Sequence, residues 1–167
     1  YVLENSKHKI KVITVVHLGG KVCDLKEISK VAKKYNCYLV EDACHAPGTL
    51  TFKGNKKQEI HNSCKYSIAS TYSFHAIKHI AMGEGGCVTT NNDPMAKIIR
   101  EKRSHAIKRS QEEMKFLPEK NAKWYYEMHD LGWNYRADEL TCAIGLSQLK
   151  RLETGIKKRE LLARIYS

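Results

Sequence analysis

Residues 8–41 read HKIKVITVVHLGGKVCDLKEISKVAKKYNCYLVE, and this stretch decides the fold class. Residues 8–16 are short, rich in β-branched side chains and almost continuously apolar, which is typical of a strand buried on both faces. Residues 24–35 have the spacing of an amphipathic helix, with one apolar face formed by Leu25, Ile28, Val31, Ala32 and Tyr35. Residues 37–41 form a second strand-like run. This order predicts a βαβ unit with a right-handed crossover.

The start of the predicted helix carries a further signal. Asp24 is followed three residues later by Glu27, which resembles a capping box with Asp in place of the usual Ser or Thr.

The alternation of strands and helices continues downstream. Asn92-Asp93-Pro94 predicts the start of a helix that runs to about residue 103. Residues 138–152 predict another helix, with Leu140, Ile144 and Leu149 among its buried positions. A further helix is predicted to follow it and to run to the last residues of the chain. The other predicted elements are strands at residues 66–74 and 86–90 and a surface loop or hairpin at residues 48–63. The fold class is therefore α/β with a largely parallel sheet.

The charge balance limits the classes of partner. The chain has 167 residues with 29 basic and 18 acidic side chains, a net charge of +11, which favours anionic partners such as nucleotide sugars or nucleic acid. The lysines are dispersed rather than clustered with aromatic side chains, which argues against a nucleic-acid-binding module. No run approaches the roughly 20 apolar residues of a membrane helix. The first residues also lack the pattern of a secretory signal.

The six cysteines indicate neither a disulfide framework nor a metal site. None of them forms a C-x-x-C pair, and their spacings match no zinc module. We therefore expect free thiols in a reducing cytoplasm and no bound metal. The cysteines are Cys23, Cys37, Cys44, Cys64, Cys87 and Cys142.

Three polar motifs follow predicted strands. They are EDACHA at residues 41–46, SFHAIK at residues 73–78 and GEGG at residues 83–86. Ligands of open α/β sheets bind beyond the carboxyl ends of the strands, so these motifs predict a site. Each motif alone has a structural alternative: Asp42 could cap a helix, and Lys78 could be a surface lysine. The glycines match neither a P-loop nor a dinucleotide fingerprint.

The motifs resemble one known family. Residues 73–86, SFHAIKHIAMGEGG, are similar to the cofactor-lysine segment of the DegT/DnrJ/StrS sugar aminotransferases, S-F-x-x-x-K-x-x-x-x-G-E-G-G. VEDACHA at residues 40–46, LGWNYR at residues 131–136 and AIGLSQL at residues 143–149 resemble three other blocks of that family, in the same order. The resemblance implies the large domain of a pyridoxal 5′-phosphate (PLP)-dependent transferase of fold type I. That domain is a three-layer α/β/α structure with a mixed, mostly parallel sheet, here incomplete.

The resemblance also implies roles for individual residues. Lys78 would hold PLP covalently as a Schiff base, and Asp42 would keep the pyridine nitrogen of PLP protonated. His45 would lie near the ring or its phenolic oxygen, and the Ser73 hydroxyl would bind the phosphate. Asn134 would reach the phosphate of the neighbouring subunit across a dimer interface.

The implied reaction is a ping-pong amino transfer from glutamate to a 4-keto nucleotide sugar, in the biosynthesis of pseudaminic acid or another surface-polysaccharide sugar. Arg136 would help to bind the anionic substrate or cofactor. The expected protein is a cytoplasmic homodimer that binds neither nucleic acid nor membrane. Residues 1–150 would be the central part of the PLP-binding domain, and residues 151–167 the start of the helix leading to a small C-terminal domain.

Three alternatives remain open. Some members of the family are dehydratases or deoxygenases that carry histidine in place of the lysine. Lys78 keeps the family spacing to both Ser73 and Gly83, whereas His79 would shift both by one residue, so transamination is favoured. Because full-length members are longer, the chain could also be a truncated, non-catalytic remnant. The third alternative is a basic nucleic-acid-binding module.

Overall fold

The computed structural model of the chain describes residues 2–53, 56–58, 64–116 and 122–166. The helices in these ranges are α1 (Val2–Asn5), α2 (Leu25–Lys34), α3 (Asp93–Lys102), α4 (Glu139–Lys150) and α5 (Leu152–Tyr166). None of them combines the length and the apolar composition that a membrane span requires. The strands are β1 (Val12–Val16), β2 (Tyr38–Asp42), β3 (Thr51–Lys53), β4 (Lys56–Gln58), β5 (Ala69–Ser73), β6 (Gly86–Thr89), β7 (Ile107–Lys108) and β8 (Glu127–Met128).

The described chain divides into two compact units. The first unit contains residues Tyr1–Asn91 and Ala137–Ser167, and the second contains Asn92–Arg136. The main sheet lies in the first unit, with the strand order β1-β2-β5-β6. A two-stranded antiparallel sheet, β7–β8, lies in the second unit.

The main sheet is mixed and mostly parallel, as predicted. Strands β1, β2 and β5 run parallel, with Val16 opposite Asp42 and Asp42 opposite Thr71, while β6 runs antiparallel to β5. The carboxyl ends of three neighbouring strands therefore meet at one edge. The predicted hairpin is also confirmed, because β3 pairs antiparallel with β4; residues 54–55 and 59–63 of that prediction lie outside the described residues.

The predicted βαβ unit is confirmed as β1, α2 and β2. The side chain of Asp24 accepts a hydrogen bond from the backbone N–H of Glu27 at 3.1 Å, as an N-cap does. Glu27 uses its own carboxylate to bind Lys30 at 2.7 Å. The hydrogen bond from the Glu27 N–H to Asp24 is one half of the predicted capping box. The helix begins where the sequence predicts it.

The core of this unit lies between α2 and one face of the sheet. Leu25, Ala32 and Leu39 are buried there, and Ile13 and Val15 pack against them. The prediction that β1 is buried on both faces is wrong, because Val12 and Val16, on its opposite face, are about half exposed. Since side chains alternate along a strand, the helix α2 covers only one set of them.

Helix α4 departs most from its predicted burial. Its bounds agree with the prediction, and Asp138 caps it by accepting the N–H of Thr141 at 2.9 Å. However, Leu140 is 81% exposed, and Ile144 and Leu149 are each 51% exposed. The buried residue of this helix is Gly145. The apolar pattern therefore marks a surface that is not covered within the described chain.

Within the second unit, Glu127 of β8 forms a buried hydrogen-bonded centre. Its carboxylate accepts the backbone N–H groups of Lys115 at 2.7 Å and Phe116 at 2.8 Å, and the hydroxyl of Tyr125 at 3.0 Å. His129 also binds this carboxylate. Burial acts to raise the pKa of Glu127, but the hydrogen bonds from Lys115, His129, Phe116 and Tyr125 lower it to about 2.

The Glu127 carboxylate therefore predicts a defined loss of stability in acid. Because its pKa is about 2 in the folded chain and 4.5 in the unfolded reference, its contribution is fully present above pH 4.5 and disappears as the pH falls towards 2. We expect Glu127→Gln to be less stable than the wild type at pH 7, with a gap that closes between pH 4.5 and 2. Urea unfolding monitored by tryptophan fluorescence measures that gap, and a gap independent of pH would contradict the prediction.

Candidate cofactor site

Asp42 stands at the carboxyl end of the central strand β2, where backbone hydrogen bonds hold it from both sides. Its carbonyl accepts the N–H of His17, the residue after β1, at 3.0 Å. The next residue, Ala43, donates its N–H to the carbonyl of Thr71 in β5 at 2.9 Å. The position of the carboxylate is thus set by the register of three strands.

The carboxylate of Asp42 is held in its charged form. It accepts the backbone N–H of Cys44 at 3.1 Å. Hydrogen bonding to Cys44 lowers the pKa of Asp42 despite partial burial, and the positive charge of Lys78 acts in the same direction. A negatively charged carboxylate and a lysine in the same site suit a polar, ionisable ligand.

His45 lies in the turn that follows Asp42. Its Nδ1 accepts the N–H of Gly19, in the turn after β1, at 3.4 Å. The neighbouring Gly20 has φ +84°, and a Cβ there would lie 3.3 Å from the carbonyl oxygen of His45. Glycine therefore allows the two turns to approach closely at the same edge of the sheet.

Lys78 lies in the loop of residues 74–85 that connects β5 with β6. Two hydrogen bonds close this loop at its base: the N–H of Phe74 donates to Gly85 at 2.8 Å, and the N–H of Met82 donates to Phe74 at 2.9 Å. The N–H of Lys78 donates to His75 at 2.9 Å. The Lys78 side chain is half-buried, next to the exposed Ile77. The loop thus presents the lysine beyond the end of β5.

Ser73 is the last residue of β5 and begins this loop. Its hydroxyl oxygen accepts the N–H of His75 at 3.4 Å. The structure thus brings Asp42, His45, Ser73 and Lys78 into the same unit. Asn134 and Arg136 belong to the second unit, where Asn134 is paired with Ser104.

Two further residues of the site were not predicted from the sequence. Burial and the Asp42 carboxylate raise the pKa of the Cys44 thiol. Burial lowers the pKa of His79, and the positive charges of Arg159 and Lys78 act in the same direction, so its imidazole is neutral near pH 7. The sequence could have indicated both residues by their position, because Cys44 precedes His45 and His79 follows Lys78.

The residues present fit PLP. An amine that can hold the cofactor, a charged carboxylate for its ring nitrogen and a hydroxyl for its phosphate lie at the ends of two neighbouring strands, β2 and β5. Among the described residues, Nδ1 of His79 is a buried polar atom that lacks a hydrogen-bond partner. A buried polar atom without a partner is costly, and a bound polar ligand would remove that cost.

Next to Asp42 in the chain, Glu41 forms a buried pair with His17 that was not predicted from the sequence. Nε2 of His17 is 3.0 Å from Oε2 of Glu41, and both side chains are fully buried. Nδ1 of His17 accepts the backbone N–H of Cys23 at 3.3 Å, so the ring proton is on Nε2 and donates to Glu41. Ser67 donates its hydroxyl to the other carboxylate oxygen. Glu41 precedes Asp42, so this network fixes the end of β2.

Removing one partner of the buried pair should be costly. His17→Leu leaves the Glu41 carboxylate buried with one partner fewer, and we expect a loss of about 3 kcal/mol in the free energy of unfolding. The double variant His17→Leu with Glu41→Met removes the buried carboxyl group as well and should lose less. Urea unfolding of both variants tests this. A double variant as unstable as the single one would contradict the pairing.

Comparison with known proteins identifies the family of the chain. Residues 3–167 match the DegT/DnrJ/EryC1/StrS aminotransferase family. The chain is 37% identical over 166 residues to an uncharacterised protein of Methanocaldococcus jannaschii, covering 99% of this chain and 40% of that protein. It is 38% identical over 157 residues to the UDP-4-amino-4,6-dideoxy-N-acetyl-β-L-altrosamine transaminase of Campylobacter jejuni, covering 94% of this chain and 37% of that enzyme.

Solved structures share the fold. Helicobacter pylori PseC, an aminotransferase involved in the biosynthesis of pseudoaminic acid, has a TM-score of 0.68 and 32% identity, covering 86% of this chain and 34% of that one. The aminotransferase TlmJ of Streptoalloteichus hindustanus has a TM-score of 0.76 at 23% identity. The chain spans about two fifths of the length of the curated relatives above. From its motifs, its sheet and these matches, the chain belongs to the DegT/DnrJ/EryC1/StrS aminotransferase family.

Proposed function

We propose that the protein acts as a PLP-dependent aminotransferase that moves the amino group of glutamate to a 4-keto nucleotide sugar. The observation that carries this proposal is the placement of Lys78 beyond β5 and of the charged Asp42 at the end of the neighbouring strand β2. Relatives that are named transaminases of a nucleotide-linked amino sugar support the substrate class. The net charge of +11 suits a nucleotide diphosphate.

Each residue of the site would have its own role in this reaction. Bound PLP supplies an electron sink for the carbon that carries the amino group. Lys78 would hold the cofactor covalently, and its Nζ would carry a proton during the amino transfer. Asp42 would keep the pyridine nitrogen protonated through its negative charge, which the Cys44 N–H helps to maintain. His45 would lie near the ring or its phenolic oxygen, and Ser73 would bind the phosphate.

The whole protein would extend beyond the described site. Residues 1–150 form the central part of the PLP-binding domain in this proposal, and residues 151–167 lead to a small C-terminal domain. Asn134 reaches the phosphate of a second subunit in a homodimer, and Arg136 helps to bind the anionic substrate or cofactor. The enzyme is cytoplasmic and makes a sugar of the pseudaminic-acid or surface-polysaccharide type.

The test separates cofactor binding from amino transfer. The purified chain is loaded with PLP and given glutamate alone, and then UDP-linked or GDP-linked 4-keto sugars. We expect a stoichiometric amount of 2-oxoglutarate with glutamate alone and continued turnover when an accepted keto sugar is present. Lys78→Ala is the control and should give neither. Binding of PLP without any 2-oxoglutarate would overturn the proposed activity, and absence of PLP binding would favour a non-catalytic remnant.

A further inference from the structure

The loop that carries Lys78 has two buried side chains, Ile80 and Met82, and Met82 is the one that lies against helix α4. Met82 is 5% exposed, and its N–H donates to the carbonyl of Phe74 at 2.9 Å. Phe74 directly follows Ser73 at the end of β5. Met82 and the end of the strand are therefore joined by a hydrogen bond, with Lys78 between them in the loop.

Met82 contacts two glycines, one within the loop and one in helix α4. A Cβ at Gly85, which has φ +156°, would lie 2.8 Å from Sδ of Met82. A Cβ at Gly145 would lie 3.3 Å from the same sulfur and 3.4 Å from Cβ of Met82. A larger side chain at either position would therefore force Met82 to move.

Gly145 is the buried residue of helix α4, whose other residues are exposed or half-buried. Glycine in the interior of a helix is less favourable than alanine, so its presence in α4 needs a reason. The close approach of Met82 supplies one, because it leaves little room for a side chain. Leu140 and Ile144 in the same helix are exposed. Helix α4 therefore meets the loop that carries Lys78 at the contact between Gly145 and Met82.

We propose that Met82 and Gly145 are positioning residues, through which helix α4 sets the place of Lys78 beside Asp42. The inference rests on the proposed function, since it concerns the lysine that would hold PLP. Displacement of Met82 passes to Lys78 because the loop is closed by the hydrogen bonds of Phe74 to Gly85 and Met82. A shift of the lysine of this kind is enough to impair the site while the sheet stays folded.

The test places the same side chain at two positions of α4. Gly145→Leu inserts a side chain against Met82, and Ala143→Leu, on an exposed position two residues earlier, is the matched control. Gly145→Leu combined with Met82→Ala restores the space. Gly145→Ala is a milder variant that keeps the test usable if the leucine variant does not fold. Urea unfolding and hydrogen–deuterium exchange without PLP are measured for all of them.

The expected result is local. Exchange at the amides of Lys78 and Met82 should rise about tenfold or more in Gly145→Leu, less in Gly145→Ala, and return towards wild type in the double variant. Ala143→Leu should leave it unchanged, and exchange in β1 and β2 should not change in any variant. Equal effects of Gly145→Leu and Ala143→Leu, or a rise spread evenly over the sheet, would overturn the proposal.

A second measurement keeps this proposal distinct from the function itself. In chains that bind PLP, Gly145→Leu should weaken PLP binding about tenfold, and the double variant should recover most of it. If the wild type binds no PLP, the proposed function fails, while the exchange data still decide the role of Met82 and Gly145. Normal PLP binding in Gly145→Leu despite faster exchange would refute the link to Lys78.

Discussion

Lys78→Ala is expected to abolish the visible absorption of PLP bound to the purified chain. That absorption depends on a covalent bond between the cofactor and an amine, and alanine has none. The change should leave the fold intact, because the hydrogen bond from the backbone N–H of Lys78 to the carbonyl of His75 does not depend on the side chain. The measurement is an absorption spectrum after PLP addition and gel filtration, with circular dichroism to confirm folding.

A matched lysine variant makes this result specific. Lys26→Ala changes an exposed lysine of helix α2 and should keep the full absorption. Retention of the band in Lys78→Ala would show that another amine holds the cofactor. Loss of the band in both variants would point to a change in stability and not to the removal of the reacting group.

Asp42→Asn is the second substitution with a large expected effect. Asparagine keeps the shape of the side chain and an acceptor for the N–H of Cys44, 3.1 Å away, but removes the negative charge. A hydrogen bond to a charged group contributes about 1.5–3 kcal/mol, so PLP should bind roughly ten- to hundredfold more weakly. Amino transfer should fall further, because the neutral side chain cannot keep the ring nitrogen protonated.

The control for this substitution is Asp24→Asn. Asp24 caps α2 by accepting the N–H of Glu27, and asparagine caps helices about as well as aspartate. Fluorescence titration with PLP measures the affinity of both variants. An unchanged affinity in Asp42→Asn would remove Asp42 from the cofactor site, and a loss of affinity in Asp24→Asn would show that the measurement reports stability.

Patterns of local spacing were enough to predict much of the fold. The β-branched run before Gly19 and the helical spacing after Asp24 predicted β1 and α2, because each pattern follows the geometry of a single element. The meeting of Asp42 and Lys78 at one edge followed from a general rule on parallel strands. Their roles came from a family resemblance, since neither residue is unusual by its type.

Features that depend on contacts between distant residues could not be predicted in this way. The buried hydrogen bond between the side chains of His17 and Glu41 depends on the register of β1 and β2, which a single sequence does not specify. The exposure of Val12 and Leu140 was also missed, because an apolar residue indicates a preference for burial and not the presence of a covering partner. In the sequence Met82 is an ordinary apolar residue, because its contact with Gly145 depends on how the loop and α4 pack.

The identity of the cofactor-holding lysine is tested most directly by chemical trapping. The purified chain is mixed with PLP, reduced with borohydride, digested and analysed by mass spectrometry, which locates the lysine that carries the reduced cofactor. We expect the modification at Lys78 in the wild type and none in Lys78→Ala. Modification spread over the exposed lysines, or concentrated on a lysine other than Lys78, would contradict a PLP site at the ends of β2 and β5.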